Sequence, residues 1–538
     1  MTSKSLYERV LETVAGGAGL PAARPPRASS AVVPWRSDES GDVEVFWMRR
    51  AETLPFMAGW HAFPGGGMSK HDADLPIEGR PQGVDEAPAD GGMPPSVVGD
   101  LELGPIAPPG LVACALRELF EETGLLLCSA EDEWHLEEWT AALNDRLAAG
   151  VRFGPAVEEL DIRLDASRLV YAGRWLTPPL GPLRFDNRFF LLEWSNDREA
   201  QPFAASSESA EVEWIRPEEA LERWGRGEVI AAPPILHLLR VLAEDGPEAG
   251  LPRLVHAGET NLGPHRCIEF QPGVVLLPLP TPTLPPATHT NCYLLGSGEA
   301  VLVDPGSPFE GEIGSLVAAV EAAAKQGRHV QAIWLTHHHP DHVGGVQAVR
   351  AALGVPVLAH AATAERLEPL GIEIDEMLED GQAIRLAGDP ELHLRVLHTP
   401  GHASGHLCFH EERLGWVICG DLISTLSTIV IDPPEGDMDA YLESLERVAD
   451  LEPRTLFPAH GGTERAAVPK LREFVDHRLW REGRILEAWT AGIRDRQELV
   501  ERVYDDAPVI ARPLAARQLE AHLDRLALHG RLDEPTAG

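Results

Sequence analysis

The chain has 538 residues, too many for one ordinary domain and enough for about three, and a hydrophobic content of 44% lets each of them bury a core. Its 84 acidic against 46 basic residues give a formal charge of −38. That balance excludes a general nucleic-acid binder, whose affinity rests on neutralising phosphates with Lys and Arg, and any polyanionic substrate must meet local positive charge, which metal ions can supply. No apolar run reaches the roughly 18 residues of a membrane span, and the N-terminus lacks the pattern of a secretory signal. The six cysteines (114, 128, 267, 292, 408 and 419) form no CxxC pair. The expectation is a cytoplasmic protein with reduced thiols.

After an N-terminal helix or linker over 1–27, alternating and apolar runs predict strands at 30–35 and 43–49. A Gly-rich turn follows in "GWHAFPGGGMSKHDAD", residues 59–74. From Met68 to Pro109 the chain is rich in Pro, Gly and Asp without clear periodicity and reads as a long loop or insert. Helical spacing returns in "GLVACALRELFEETG", with Pro108 and Pro109 at its start and Gly124 just past its end. Strands near 169–177 and 187–194, a helix from Pro217, another over 234–243 and a linker over 243–253 complete the region. On the first helix, Glu118, Glu121 and Glu122 are spaced i, i+3, i+4 and share a face roughly 100° wide. Like charges so placed destabilise an isolated helix. A hard divalent cation such as Mg²⁺ removes that cost, because it takes oxygen ligands and bridges carboxylates to phosphates.

From about residue 255 the pattern changes to short apolar strands, each followed by a loop carrying His or Asp. "LTHHHPDHVGG" supplies His337, His339, Asp341 and His342, "TPGH" supplies His402, "CGD" supplies Asp421 and "PAHG" supplies His460. Ligands at strand ends are held by rigid backbone while the loops stay open to substrate. Imidazole and carboxylate suit Zn²⁺, and seven such residues suffice for two ions sharing Asp421 and a solvent molecule that attacks carbonyl carbon or phosphorus. His338, His398 and His406 are expected to pack or orient, and His289 in "ATHTNCYLL" carries no assignable role. From about Val468 the chain is helical and Arg-rich, and "ARPLAARQLEAHLDRLALHGRL" reads as a compact terminal unit.

"RELFEETGL", residues 117–125, matches the second half of the Nudix box, and "FPGGG" matches the turn that opens it. The chain over roughly 28–245 therefore resembles the Nudix hydrolases. That resemblance implies Mg²⁺- or Mn²⁺-dependent cleavage of a diphosphate, with Glu118, Glu121 and Glu122 binding metal and activating water, Arg117 orienting them, and Glu211 a weaker candidate for an extra carboxylate. One position departs from the box: eight residues before the Arg, where a further Glu is usual, stands Pro109. The interruption resembles the peroxisomal CoA diphosphatase branch, which implies a CoA or acyl-CoA substrate; without the Glu, a non-catalytic binding module stays open. The second region resembles the metallo-β-lactamase superfamily over 255–470. This supports one metal on His337, His339 and His402 and another on Asp341, His342 and His460, with Asp421 bridging, Asp341 catalytic and Asp304 orienting. The tail, with "FVDHRLWREGRIL", resembles the beta-lactamase-like protein 2 branch, in which a winged-helix-like domain follows the metal domain.

The implied architecture is multidomain α/β and α+β: a Nudix α/β/α sandwich over 28–245 with its insert at about 68–109, a metallo-β-lactamase αββα sandwich over 255–470, and a small helical, winged-helix-like domain over 471–538. The implied function is metal-dependent hydrolysis, with two Zn²⁺ in the second domain and Mg²⁺ or Mn²⁺ in the first. Substrates left open are a small diphosphate or thioester, a CoA derivative among them, and single-stranded RNA. A glyoxalase II-like thioesterase working with the Nudix domain on acyl-CoA is the competing reading, and no membrane partner is expected.

Overall fold

A computed structural model describes residues 25–54, 57–88, 103–129, 133–177, 184–194, 209–256, 268–507 and 511–532. The N-terminal helix or linker expected over 1–27 lies outside the described residues up to 24. The chain forms two compact units, 22–272 and 273–538. Among the described residues no helix is long and apolar enough to cross a membrane, and the five described cysteines are free.

The first unit is built on a seven-stranded sheet. Along the path His61–Ala62, Val43–Arg50, Arg27–Ser37, Phe185–Glu193 and Val170–Leu176, the strands Arg27–Ser37 and Phe185–Glu193 run parallel. Ser209–Ile215 pairs with Val43–Arg50, and Gly65–Gly67 with Arg27–Ser37. The period-2 alternation of a strand sends Val32 to one face and Val33 to the other. Val32 packs with Leu116, Leu119 and Phe120 of the helix Pro109–Thr123, and Val33 with Leu236 and Leu239 of the helix Pro233–Ala249. Helices therefore cover both faces, as in an α/β/α sandwich.

Two stretches differ from the sequence reading. The segment 243–253, expected as a linker, is largely helical: Gly246, at φ 73° and ψ 178°, is non-helical and divides the span Pro233–Ala249 into two helical pieces at a kink, and Leu251–Val255 follows. The described part of the insert carries regular structure. Asp72–Asp74 forms a short 3₁₀ turn, and Ile77–Glu78 pairs in parallel with Leu164–Asp165. At its far end the insert is held by two buried arginines of the sheet. Arg174 donates to the Gly104 carbonyl, Arg188 donates to those of Pro105 and Ile106, and both pair with Asp186.

The second unit stacks two sheets. One runs in the order Val274–Pro280, His289–Leu295, Glu299–Val303, His329–Trp334, Val357–Ala359, Glu376–Met377; the other is five-stranded, from Ala383–Leu386 to Thr455–Pro458. Aromatic pairs join them, Trp334 to Phe409 at 4.9 Å between centroids and Tyr293 to Phe457 at 6.0 Å. The opposite faces carry helices: Glu310–Lys325 packs over Val275, Leu302 and Ile333, and Met438–Ala449 over Leu397, Val417 and Leu456. This is the αββα layering. The 24-residue helix Ala467–Thr490 belongs to two cores. Ala467, Leu471 and Phe474 join that of Met438–Ala449, while Ile485 and Ala488 pack with Leu499, Leu519 and Leu523 of the terminal helices Arg496–Val503 and Arg512–Leu528.

Candidate metal centres

The Glu-bearing helix starts with Pro109 at its first position, where a missing N–H costs nothing. It ends at Gly124, whose φ of 74° and N–H to the Phe120 carbonyl make a left-handed C-cap. Its polar face meets the glycine turn. Gly65 N–H donates to Glu122 Oε2 at 2.7 Å, and a Cβ on Gly66 would stand 2.5 Å from Glu118 Oε1, so a larger residue there would displace that carboxylate. Arg117 gathers the carboxylates: Nη1 reaches Glu118 at 2.7 Å and Glu121 at 2.8 Å, while Nε and Nη2 grip Asp72 at 2.8 and 3.0 Å. Asp72 is itself fixed by the N–H and hydroxyl of Ser69.

Asp72 corrects the reading of Pro109. The fourth carboxylate of this face is not lost; it comes from the first turn of the insert, six residues beyond Gly66. Counting forward from the glycine turn finds it, whereas counting back from Arg117 crosses the insert and lands on Pro109. Glu211, by contrast, is exposed and held by Arg49 across the strand pair. Burial raises the Glu118 carboxyl against the pull of Arg117. Three carboxylates around one guanidinium, with Glu122 on the same helix held by the Gly65 N–H, leave an excess of negative charge that a divalent cation fits. Their oxygens do not form a closed cage, since every ligand group gathered within 4.8 Å among the described residues lies in the second unit.

There the strand ends deliver all seven expected residues to one place. Three groups gather: His337, His339 and His402; His337, His342 and Asp421; Asp341, His342 and His460. His337 Nε2 and His402 Nε2 each lie 2.9 Å from His339 Nδ1. The two oxygens of Asp421 point to different groups, Oδ2 to His402 Nε2 at 3.4 Å and Oδ1 to His460 Nε2 at 3.3 Å and His342 Nε2 at 3.5 Å. Asp341 Oδ2 stands 3.4 Å from His460 Nε2.

The rings are oriented from behind. His402 Nδ1 donates to the Val430 carbonyl at 2.7 Å, His460 Nδ1 to that of His289 at 3.0 Å, and His342 Nδ1 to Asp304 Oδ2 at 2.8 Å. Asp304, at φ 51°, also accepts from the N–H and hydroxyl of Thr336. Such contacts fix tautomer and direction. His406 accepts from the Asp421 N–H at 3.0 Å and so aims the bridging carboxylate, and His398 stacks on His360. His338 faces Glu435 at 3.4 Å, a neighbour that nothing in the sequence pattern marks.

Burial, reinforced by the adjoining rings, drives His337 and His339 well below the usual histidine range. Burial also opposes charge on His342 and His460, but the carboxylates of Asp421, Asp341 and, for His342, Asp304 outweigh it; His460 rises to about 10. Among the described residues, two buried atoms turned into the cluster, His342 Nε2 and Asp421 Oδ1, lack a well-directed hydrogen-bond partner. Orphaned donor atoms among converging imidazoles and carboxylates fit divalent ions of the zinc type. In the tail, by contrast, arginines are committed to ion pairs: Arg481 to Asp506, Arg484 to Asp505, Arg525 to Asp439 and Glu482, Arg531 to Glu482.

Three family models match the chain: the NUDT19 Nudix domain over 11–242, the metallo-beta-lactamase superfamily over 285–460, and the beta-lactamase associated winged helix domain over 496–536. Among relatives, a beta-lactamase-like protein 2 homolog of Caenorhabditis elegans is 30% identical over 254 residues, 46% of this chain and 81% of the relative. A hydroxyacylglutathione hydrolase of Cereibacter sphaeroides is 34% identical over 183 residues, 34% of this chain and 65% of its own. An atrochrysone carboxyl ACP thioesterase of Aspergillus chevalieri is 30% identical over 228 residues, covering 41% and 69%. Both enzyme families are hydrolases, and the order of the three matched segments is the order of the three folded parts. The chain belongs to the beta-lactamase-like protein 2 family of the metallo-beta-lactamase superfamily, with a NUDT19-type Nudix domain in front of its metal domain and a winged helix behind it.

Proposed function

We propose that the chain hydrolyses acyl-CoA-type substrates at two independent sites, the thioester at the His/Asp cluster and the diphosphate at the Glu-bearing helix. The observation that carries the first half is the stance of Asp421 between the two outer groups, one oxygen 3.4 Å from His402 and the other 3.3 Å from His460 and 3.5 Å from His342. Two Zn²⁺ held there would supply Lewis acidity and lower the pKa of water to near neutrality. The protein's own part is to keep His337 and His339 neutral by burial, to hold Asp341 and Asp421 ionised, and to aim His342 through Asp304. Water adds to the acyl carbon, the carbon–sulfur bond breaks, and carboxylate and thiol leave.

At the other site Glu118, Glu121 and Glu122 would hold Mg²⁺ or Mn²⁺ against the diphosphate, with Arg117 and Asp72 fixing their directions; water adds to one phosphorus, its bond to the bridging oxygen breaks, and two phosphomonoesters leave. A thioester is favoured over RNA because the relatives of the metal domain include thioester hydrolases, the chain carries −38 net charge, and Arg481, Arg484, Arg525 and Arg531 of its tail face carboxylates.

The full-length chain, incubated with acyl-CoA and its metals, should release both free thiol and an adenosine bisphosphate. Asp341→Asn should abolish thiol release and spare diphosphate cleavage, and Glu122→Gln should do the reverse. Cleavage of single-stranded RNA that depends on Asp341, with the thioester untouched, would sink the first half. Diphosphate cleavage indifferent to Glu122→Gln would sink the second.

A further inference from the structure

The loop after Asp421 has two sides. Toward the metal cluster, the Val430 carbonyl accepts from His402 Nδ1, and the Glu435 carboxylate accepts from the Ser404 hydroxyl at 3.2 Å while facing His338. Away from it, the C-terminal helices grip the same loop. Gln518 Nε2 donates to the Ile429 carbonyl at 2.7 Å, Arg478 donates to that carbonyl as well, and Arg478 Nη1 donates to Gln518 Oε1 at 3.2 Å. Arg517 adds donors to the Asp432 carboxylate and the Pro433 carbonyl. The side chains of Ile429 and Ile431 are buried with Leu471, Phe474 and Ala521 of those helices. One peptide unit thus separates the carbonyl that the helices hold from the carbonyl that orients His402.

The choice of residues is costly. Arg478 is 3% exposed and Gln518 6%, and among the described residues Arg478 has no carboxylate within ion-pair distance; apart from Gln518 and the Ile429 carbonyl it has only the face of Tyr441. Burying a guanidinium without a counter-charge opposes folding, and an apolar pair would fill the space better. What the polar pair adds is a fixed address for Ile429, which packing alone does not supply.

We infer that Arg478 and Gln518 are positioning residues of the metal centre, holding Ile429 so that the Val430 carbonyl fixes the tautomer and direction of His402. The C-terminal helices are then a working part of that centre. This rests on the reading of the His/Asp cluster as a metal site.

The test is titration of Co²⁺ into the metal-free full-length chain in competition with a chromophoric chelator. The wild-type chain takes up two ions. Gln518→Ala and Arg478→Lys should weaken one of them by about 10–100-fold, the range for lost partners behind a metal ligand, with a change in its visible absorption. The other ion and the Mn²⁺-dependent diphosphate cleavage should be unmoved. If Arg478→Lys does not fold, Arg517→Ala, on a half-exposed side chain gripping the same loop, should weaken the same ion. Folded variants that bind both ions with wild-type affinity and spectrum overturn the inference. A wild-type chain that binds no Co²⁺ overturns the metal reading beneath it.

Discussion

Arg117 shows how much one side chain can organise. Its fork divides between Asp72 on one side and Glu118 and Glu121 on the other, so removing the Asp72 charge frees the guanidinium to swing. Asp72→Asn should lower the kcat of diphosphate cleavage about 10–100-fold with little change in thermal stability, measured on the purified chain with Mn²⁺. An unchanged kcat would show that Glu118 and Glu121 hold Arg117 unaided. The three glutamates were legible because a helix has a fixed period. Asp72 is missed by a count back from Arg117, which crosses the insert, whereas a count forward from the glycine turn reaches it. The seven residues of the second site were legible because they follow the ends of apolar strands, four of them in the one stretch after His329–Trp334 and the others after three strands of the facing sheet.

His460 carries a pH signature. Burial disfavours its charge, yet Asp421 and Asp341 raise it to about 10 in the metal-free chain, from an ordinary 6.5. A raised folded-state pKa stabilises below the unfolded value and loses that contribution as pH climbs through the folded one. The melting temperature of chelator-treated protein should therefore fall between pH 6.5 and about 10. The zinc-loaded chain, whose ligand rings must already be neutral, should lack that component. Calorimetry of both forms across this range decides it, and parallel profiles would contradict the assignment.

Among the elements, the Glu-bearing helix was readable at both ends because proline and glycine act there as N1 and C-cap residues. The same two residue types misled at 243–253. Gly246 and Pro247 do interrupt the helix, at φ 73° and ψ 178°, yet helical chain resumes beyond them, and the helix Leu251–Val255 lies against the sheet, with the Leu254 carbonyl 2.4 Å from where a Cβ on Gly173 would stand. Local punctuation does not reveal whether apolar neighbours will hold a chain in place across a kink. The insert misled for a related reason: two residues, Ile77 and Glu78, suffice for a ladder once Leu164 and Asp165 are there to receive them, and that partner lies far along the chain.

At the scale of the whole molecule, the helix Ala467–Thr490 ties the tail to the metal domain by running through both cores. Those two parts should unfold in one transition, and limited proteolysis should find no early cut between 470 and 495; a fragment ending there and retaining the metal domain would argue against a shared core. The first unit's insert is anchored differently, at Ile77–Glu78 on one side and at Gly104–Ile106 on the other, with Asp72 ahead of both anchors. Chemistry at Arg117 is therefore blind to how much chain lies between them. Doubling a loop costs only about 0.6 kcal/mol, so descendants of this gene are free to lengthen, shorten or rewrite that stretch, trying new substrate contacts while the catalytic face is inherited intact.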